Sequence, residues 1–205
     1  MTLGVLGGTF DPIHLGHVAA ADAAQHALSL ESILLIPSRI PPHRGDPVTT
    51  GPEDRFAMAR LAAAGRPGWS ASRIELDREG KSYTYDTLVE LHEGMSEGSQ
   101  IFFIIGADAF AEIASWSRYP AVLDLANFVV VSRPGITLDS LRERVPSASG
   151  RSTSAQTRVI LVETNTPDIS STDIRRRVRA GHPLSGYVSD SVADYIRDHR
   201  LYLGR

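Results

Sequence analysis

Cysteine is absent from the 205 residues of this chain, and so is any long apolar run. Without cysteine the chain has no disulfide scaffold, no thiolate-bound zinc or iron–sulfur site and no cysteine nucleophile. The longest apolar run, residues 101–105, is too short to cross a bilayer. The first residues lack the basic segment that begins a signal peptide. We therefore predict a soluble cytoplasmic protein that has no membrane partner.

A strong charge excess is also missing, because the formal net charge is only −3. Sequence-independent binding of nucleic acid requires many basic side chains, so we expect no nucleic-acid partner. The length and the 42% hydrophobic content predict one domain, residues 1–205, with a substantial core. The oligomeric state stays open, and a homo-oligomer is possible from the sequence.

The apolar residues alternate between short continuous runs and longer helical patterns. The runs predict strands at residues 3–6, 33–36, 101–105, 128–131 and 159–162. Helical patterns cover residues 17–27, 53–64, 85–95, 108–116, 138–144, 172–180 and 189–200. Continuous apolar strands are typical of a sheet covered on both faces. The order predicts an α/β fold, a Rossmann-like, doubly wound parallel sheet of five to six strands with a C-terminal helical segment from about residue 170.

Three local features complete this prediction. Residues 37–52 and 146–157 look irregular, and the second stretch has the character of a flexible insertion. Ser170 and Asp173 form a capping pair for the helix that follows them. No internal repeat and no domain linker are visible in the sequence.

The turn after the first strand is glycine-rich and leads into a helix, which suits an anion-binding site. A diglycine such as Gly7-Gly8 is a weak signal by itself. The G-x-G-x-x-G fingerprint is missing and no acid closes the second strand, so a hydride-transferring dehydrogenase is disfavoured. Gly80-Lys81-Ser82 has no upstream glycine or strand–loop–helix context, which excludes a P-loop there.

Two histidines, His14 and His17, stand at the mouth of this turn. Because they are three residues apart at a helix start, their side chains can point the same way. Three interpretations are open at this point: a metal pair, two rings that only cap and pack, or two donors to phosphate oxygens. The metal pair is disfavoured by the lack of a nearby carboxylate or cysteine in the pattern.

Residues 7–17 (G-G-T-F-D-P-I-H-L-G-H) resemble the signature of the nucleotidyltransferase superfamily with its (H/T)-x-G-H motif. Residues 169–175 (I-S-S-T-D-I-R) are similar to its second motif, I-S-S-T-x-I-R. More specific likeness to bacterial nicotinate-nucleotide adenylyltransferases comes from residues 40–44, 82–88, 106–108 with Trp116, and 132–135. The resemblance covers nearly the whole chain. It departs from the family at Arg44, where lysine is frequent, and at the long 146–157 stretch.

The resemblance implies transfer of AMP from ATP to nicotinate mononucleotide, which yields deamido-NAD and pyrophosphate. The acceptor phosphate attacks the α-phosphorus in line, so the enzyme needs positioning and charge neutralisation rather than its own nucleophile. His14, His17 and Arg175 are the implied catalytic residues, with both imidazoles expected to be protonated among phosphates. Mg²⁺ is expected to bind mainly through the ATP phosphates, with no metal site on the protein.

The implied ATP-binding residues are Gly7, Gly8, Thr9, Phe10, Gly16, Gly106, Asp108, Ile169, Ser171 and Thr172. Asp108 would accept hydrogen bonds from the ribose, and a helix N-cap is its alternative role. Arg176, Arg177 and Arg179 are interpreted as a solvated basic face.

The implied nicotinate mononucleotide-binding residues are His43, Arg44, Thr84, Trp116 and Arg133. Thr84 would bond the carboxylate and Trp116 would stack on the pyridine ring, with an N-cap and core packing as the respective alternatives. Arg133 would hold the mononucleotide phosphate unless it serves in a surface ion pair. The proline-rich loop with His43 and Arg44 is expected to close over the phosphates.

Other functions remain open on the same motifs. A phosphopantetheine adenylyltransferase shares both phosphate motifs, and a cytidylyltransferase is a further variant of the chemistry. A non-catalytic nucleotide sensor would keep the fold but is disfavoured by the presence of His14, His17 and Arg175.

Overall fold

The structure is a computed structural model that describes residues 1–42, 48–132 and 159–204. The helix predicted at residues 138–144 and the irregular stretch at 146–157 lie outside the described residues. These described residues form six strands: β1 (Thr2–Gly8), β2 (Ser32–Pro37), β3 (Trp69–Ala71), β4 (Gln100–Gly106), β5 (Asn127–Ser132) and β6 (Val159–Glu163). All five predicted strands are therefore confirmed.

The strands form one sheet in the order β3-β2-β1-β4-β5-β6. Strand β1 runs parallel to β4, β4 to β5, and β5 to β6, with Leu6 opposite Ile104 and Gly106 opposite Val131 in the register. From β1 the chain adds β2 and β3 on one side, and from β4 it adds β5 and β6 on the other side. The boundary between β1 and β4 is therefore the switch point of a doubly wound sheet. The predicted Rossmann-like α/β fold with six strands is confirmed.

The α-helices are α1 (Leu15–Leu28), α2 (Pro52–Ala63), α3 (Ile74–Asp77), α4 (Thr84–Glu93), α5 (Ala107–Ala111), α6 (Ser171–Arg179) and α7 (Asp190–Asp198). The predicted capping pair is confirmed, because the Ser170 side chain accepts a hydrogen bond from the Asp173 backbone N–H at 3.0 Å. Ser189 caps α7 in the same way through the Val192 N–H. Helices α6 and α7 make up the predicted C-terminal helical segment.

The predicted helix at residues 108–116 is shorter than expected. Helix α5 ends at Ala111, and a 3₁₀ helix, Ile113–Ser115, follows it. The Ser115 hydroxyl donates to the Glu112 carbonyl at 2.7 Å, a local bond that competes with continued α-helix. A second 3₁₀ helix, Ala121–Leu125, precedes β5.

Two short elements were not predicted. Strand β3 has three residues and α3 has four, so neither shows a period in its apolar pattern. The Ser72 N–H bonds the Leu35 carbonyl at 2.9 Å, which fixes the end of β3 beside β2.

The chain groups into two compact units, each with its own buried residues. Unit 1 comprises Met1–Leu6, Ala20–Ile33 and Tyr83–Asn165; unit 2 comprises Gly7–Ala19, Leu34–Ser82 and Thr166–Arg205. Fully buried side chains of unit 1 include Val5, Ile33, Leu88, Ile104 and Phe128, and those of unit 2 include Phe10, Ile13, Leu35, Ile36 and Met58. The single domain predicted from the sequence stays a prediction.

Consecutive residues of the central strands are buried, as Phe128, Val129 and Val130 show in β5. Successive strand side chains point to opposite faces, so both faces of this strand are covered. This confirms the interpretation of the continuous apolar runs. Among the described residues, no helix is long and apolar enough to cross a membrane.

Candidate active site

The loop that follows β1 has an unusual backbone. Phe10 is fully buried and has a φ of 50°, in the left-handed region. The Asp11–Pro12 peptide bond is cis. A Cβ atom on Gly8 would lie 2.8 Å from the Phe10 ring, so a side chain there would displace the ring. Glycine at position 8 is thus explained by the packing of Phe10.

His14 and His17 form a reciprocal cap at the start of α1. The His17 N–H donates to Nδ1 of His14 at 3.4 Å, and the His14 N–H donates to Nδ1 of His17 at 3.3 Å. This is the geometry of a capping box, built from two imidazoles. The rings stack with centroids 3.6 Å apart, and the edge of His17 meets Phe10 at 5.1 Å between centroids. The prediction that both side chains point the same way is confirmed.

The cap determines which nitrogens are left for a ligand. Each Nδ1 accepts a hydrogen bond from a backbone N–H, so in the neutral tautomer each Nε2 carries the proton and can donate it. The two roles considered from the sequence, capping and donation to phosphate, therefore use different ring nitrogens. A Cβ on Gly16 would lie 3.0 Å from Nδ1 of His14, so glycine keeps room for this ring.

Protonation of the two rings among phosphates stays a prediction, whereas the protein by itself lowers the pKa of both rings. Burial lowers the pKa of His14 to about 4. Burial also lowers the pKa of His17 well below its ordinary value, and the neighbouring His14 lowers it further. Both rings are neutral near pH 7, because desolvation disfavours the charged form and each Nδ1 is engaged as an acceptor.

The second motif is tied to the first by hydrogen bonds. The Ser171 hydroxyl donates to the Pro12 carbonyl at 2.9 Å. The guanidinium of Arg175, which is 5% exposed, donates to the Asp11 carbonyl at 2.8 Å and to the Thr172 hydroxyl at 3.0 Å. Residues that are about 160 positions apart in sequence thus meet around the loop before α1.

The remaining arginines of α6 differ from one another. Arg176 is exposed and pairs with Asp173 at 2.7 Å, as a solvated face predicts, and Arg179 is exposed as well. Arg177 differs, because its guanidinium lies 4.3 Å from the Tyr187 ring centroid and bonds the Pro183 carbonyl at 3.1 Å. Arg177 is half-buried against this ring, and its hydrogen bond lies at the exposed surface, so the solvated basic face stays a prediction for this residue.

Asp11 was not selected from the sequence, although it lies in the first motif. Its carboxylate is completely buried and accepts from the Thr49 N–H at 2.8 Å, the Thr49 hydroxyl at 2.9 Å and the Tyr202 hydroxyl at 3.0 Å. These partners come from distant parts of the chain, so no spacing in the sequence indicates them.

Arg55 of α2 is a second residue that sequence analysis missed. It is 1% exposed, and its guanidinium donates to the carbonyls of Thr9, Ser38, Arg39 and Thr50. A buried arginine inside a helical pattern reads as a surface residue in the sequence, because helix position alone does not show which carbonyls it meets. Arg55 joins the loop after β1 to the segment after β2.

Gly106 and Asp108 follow the carboxyl end of β4 in unit 1. Both are exposed, and a Cβ on Gly106 would meet open space. The alternative role of Asp108 as a helix N-cap was wrong, since Gly106 occupies the N-cap position of α5 and Asp108 lies in its first turn. Asp108 keeps an exposed carboxylate at this strand end.

Thr84 and Trp116 lie in unit 1. Thr84 is the first residue of α4, and the N-cap position belongs to Tyr83, so the N-cap alternative was wrong. Trp116 is half-buried and meets Phe103 edge-on, with ring centroids 5.9 Å apart. Arg118, a cation that the sequence did not single out, lies 4.9 Å from the ring centroid of Tyr85 and links these two segments.

The other predicted site residues are placed as follows. Gly7 and Gly8 are the last residues of β1, Thr9 follows that strand, Thr172 is exposed on α6, and Ile169 is half-buried just before that helix. His43, Arg44 and Arg133 lie outside the described residues. Within residues 1–42, 48–132 and 159–204, no group of three or more His, Asp or Glu side chains is arranged to hold a metal ion.

Comparison with known proteins assigns the chain to a family. The model of the cytidylyltransferase-like family matches residues 5–177. A protein of Roseiflexus sp., named probable nicotinate-nucleotide adenylyltransferase, is 45% identical, and the match covers 98% of this chain and 97% of that protein. A Moorella thermoacetica protein of the same name is 40% identical, with 99% and 92% covered.

A solved structure supports the fold. The nicotinic acid mononucleotide adenylyltransferase of Plasmodium falciparum, complexed with NaAD, superposes with a TM-score of 0.76 over 100% of this chain and 98% of that chain, at 19% identity. The family model covers most of the chain and the two bacterial relatives match nearly all of it, so the chain belongs to the nicotinate-nucleotide adenylyltransferase family within the cytidylyltransferase-like proteins.

Proposed function

We propose that this protein transfers AMP from ATP to nicotinate mononucleotide and so forms nicotinate adenine dinucleotide (deamido-NAD). A phosphate oxygen of the mononucleotide attacks the α-phosphorus of ATP, and the bond from that phosphorus to the β-phosphate bridge breaks to release pyrophosphate. The observation that carries this proposal is the stacked His14–His17 pair, whose Nε2 donors stand at a helix start that Arg175 also reaches through Asp11.

In this mechanism His17 donates from Nε2 to the α-phosphate as negative charge builds up on it, and His14 donates beside it. One such donor is worth roughly 2–4 kcal/mol of barrier, on the scale of an oxyanion-hole donor. The donors are neutral imidazoles, in agreement with the lowered pKa of each ring. Proton transfer is not required, because the attacking phosphate is already ionised at neutral pH.

The β- and γ-phosphates are held by the start of α6 and by Arg175. Ser171 and Thr172 present backbone N–H groups in the first turn of this helix, where an anion is favoured. The hydrogen bonds from Arg175 to the Asp11 carbonyl and the Thr172 hydroxyl use two of its N–H groups, and a guanidinium has five. Arg175 thus has donors left for phosphate oxygens.

The adenosine part of ATP is assigned to residues at the ends of β1 and β4 and before α6. Asp108 accepts from the ribose hydroxyls with its exposed carboxylate, and Gly106 leaves open space for the nucleoside. The other residues that we assign to ATP binding are Gly7, Gly8, Thr9, Phe10, Gly16 and Ile169.

Nicotinate mononucleotide is assigned to the segments around Thr84 and Trp116. The half-buried Trp116 stacks on the pyridine ring, and Thr84 at the N-terminus of α4 donates to the carboxylate. His43, Arg44 and Arg133 complete the proposal as partners of the acceptor and its phosphate.

Mg²⁺ fits this site as an ion held by phosphate oxygens and water. Asp11, the carboxylate nearest the histidines in sequence, is completely buried and accepts three hydrogen bonds from Thr49 and Tyr202, so we do not assign it as a ligand. Such an ion would supply positive charge to the phosphates, which in this proposal Ser171, Thr172 and Arg175 would hold. A cytoplasmic location suits a reaction that consumes ATP.

The test is pyrophosphate release with ATP and Mg²⁺ and three acceptors in parallel: nicotinate mononucleotide, nicotinamide mononucleotide and phosphopantetheine. We expect release chiefly with nicotinate mononucleotide. Release with phosphopantetheine would overturn the assignments of Thr84 and Trp116 and leave only the phosphate-site assignments. ATP binding without release with any acceptor would contradict the proposal and favour a nucleotide sensor.

A further inference from the structure

The buried carboxylate of Asp11 has partners but no assigned role. It accepts three hydrogen bonds of 2.8–3.0 Å, two from Thr49 on Oδ2 and one from Tyr202 on Oδ1. A buried ion is costly unless it is hydrogen-bonded, so this set of donors is what permits a charge at this position. Arg175, whose guanidinium bonds the carbonyl of the same residue, adds a nearby positive charge.

Tyr202 is also held in an unusual place. It follows α7, is 8% exposed and has a φ of 64°, a conformation that few side-chain-bearing residues adopt. Burial, together with the negative charge of Asp11, raises the pKa of its hydroxyl well above its usual range. The hydroxyl is therefore a hydrogen-bond donor at any pH at which the protein works.

The loop that Asp11 anchors carries the groups of the phosphate site. Phe10, next to Asp11, has a left-handed backbone, and its ring meets the His17 ring at 5.1 Å between centroids. The Asp11 carbonyl receives the Arg175 guanidinium at 2.8 Å. A change in the hydrogen bonds of the Asp11 carboxylate would therefore move two groups together. These are the Phe10 ring, which contacts His17, and the Asp11 carbonyl, which accepts from Arg175.

We propose that Asp11 and Tyr202 are positioning residues for adenylyl transfer, in which the Tyr202 hydroxyl orients the Asp11 carboxylate and thereby sets the places of His17 and Arg175. This inference rests on the proposed function. In this proposal no substrate contacts the side chain of Asp11 or Tyr202, and both residues act through the loop before α1.

The chain contains a matched control. The Tyr195 hydroxyl donates to Asp54 at 3.0 Å, the same length as the bond from Tyr202 to Asp11, but it joins α7 to α2 rather than to the first motif. Tyr195→Phe and Tyr202→Phe each remove one hydroxyl that bonds a carboxylate. Their comparison separates the loss of such a bond in general from its loss at Asp11.

Steady-state kinetics at 25 °C, well below the melting temperature of each variant, test the proposal. We expect Tyr202→Phe to lower kcat about tenfold or more, because small misplacements of reacting groups are costly. The KM for nicotinate mononucleotide should stay within about twofold of the wild-type value, since the residues proposed to bind it are not on this loop. Tyr195→Phe should keep kcat within about twofold. Equal kcat in the two variants and in wild type would overturn the proposal.

A second measurement asks whether Tyr202 acts through the phosphate site. Combined with His17→Ala, the loss from Tyr202→Phe should be clearly less than multiplicative, because the two changes affect one unit. Fully multiplicative losses would contradict this role. Thr49→Val is the substitute if Tyr202→Phe does not fold, since it removes only the hydroxyl bond to Oδ2 and should also lower kcat rather than raise KM.

Failure of this positioning role can be distinguished from failure of the proposed function. Lack of pyrophosphate release by the wild-type protein with every acceptor would refute the proposed function itself. Release by wild type with no difference between the tyrosine variants would refute only the positioning role of Asp11 and Tyr202.

Discussion

The two imidazoles of the first motif cap a helix and are also the proposed donors to phosphate. Their Nδ1 atoms cap α1, and their Nε2 atoms are left as donors. Because the cap uses a backbone N–H on each side, it selects one neutral tautomer without a carboxylate partner. The histidine spacing of the motif follows from this geometry, since an N-cap residue and the third helical residue are three positions apart.

Replacing His17 by alanine tests the donor. We expect kcat to fall by about 100-fold or more, because one donor to the α-phosphate is lost. The melting temperature should fall only slightly, since a lost cap costs about 1 kcal/mol. Pyrophosphate release and thermal unfolding measure the two effects.

His26→Ala is the matched control for that variant. His26 lies on the same helix α1, is exposed, and bonds the Asp22 carbonyl at 2.8 Å. Its loss should leave kcat unchanged. A His17→Ala variant with kcat close to that of His26→Ala would remove His17 from the mechanism.

At the scale of an element, helix α6 connects the stability of the protein with the proposed phosphate binding. Its N-cap Ser170 places the first turn, in which Ser171 and Thr172 are proposed to face phosphates. Ser171 and Arg175 bond the Pro12 and Asp11 carbonyls, so the helix is held against the loop before α1. A helix whose first turn frays would present these donors less often.

Ser170→Ala is expected to destabilise the protein by about 1 kcal/mol and to raise the KM for ATP. The bond from the Asp173 N–H is lost, and with it the order of the first turn. Ser189→Ala, which removes the equivalent cap of α7, should destabilise the protein similarly but leave the KM for ATP unchanged. Urea unfolding and ATP titration of the initial rate distinguish the two variants. An equal KM in both would show that the first turn of α6 does not hold ATP.

The stability of the whole molecule should depend on pH through the buried histidines. The pKa of His14 is about 4 in the folded protein and about 6.5 in an unfolded chain, so unfolding takes up a proton between these values. Its contribution to stability is complete above pH 6.5 and is lost as the pH falls towards 4. At pH 5 the lowered pKa of His14 reduces the free energy of unfolding by about 2 kcal/mol.

His14→Gln is the variant that tests this linkage. The free energy of unfolding of the wild-type protein should fall more between pH 7 and pH 5 than that of His14→Gln, by about 2 kcal/mol at most. Urea unfolding at both pH values gives the comparison. His26→Ala should keep the pH dependence of wild type, and a His14→Gln profile identical to wild type would show that His14 is not buried as described.

The sequence by itself determined the fold class, the strands, most helices and both phosphate motifs. Continuous apolar runs require two covered faces, and the two motifs are contiguous patterns, so each is visible locally. The end of α5 at Ala111 and the elements β3 and α3 were not predicted, because segments of so few residues show no periodic apolar pattern.

Only the tertiary structure revealed the network around Asp11, the carbonyl contacts of Arg55 and the neutral state of the histidines. Asp11 meets Thr49, Arg175 and Tyr202, which are separated by up to 191 positions in sequence. Burial and hydrogen bonding decide a pKa, and both depend on what the folded chain brings near a group. Local patterns carry local structure, whereas partners from distant segments are specified only once the chain has folded.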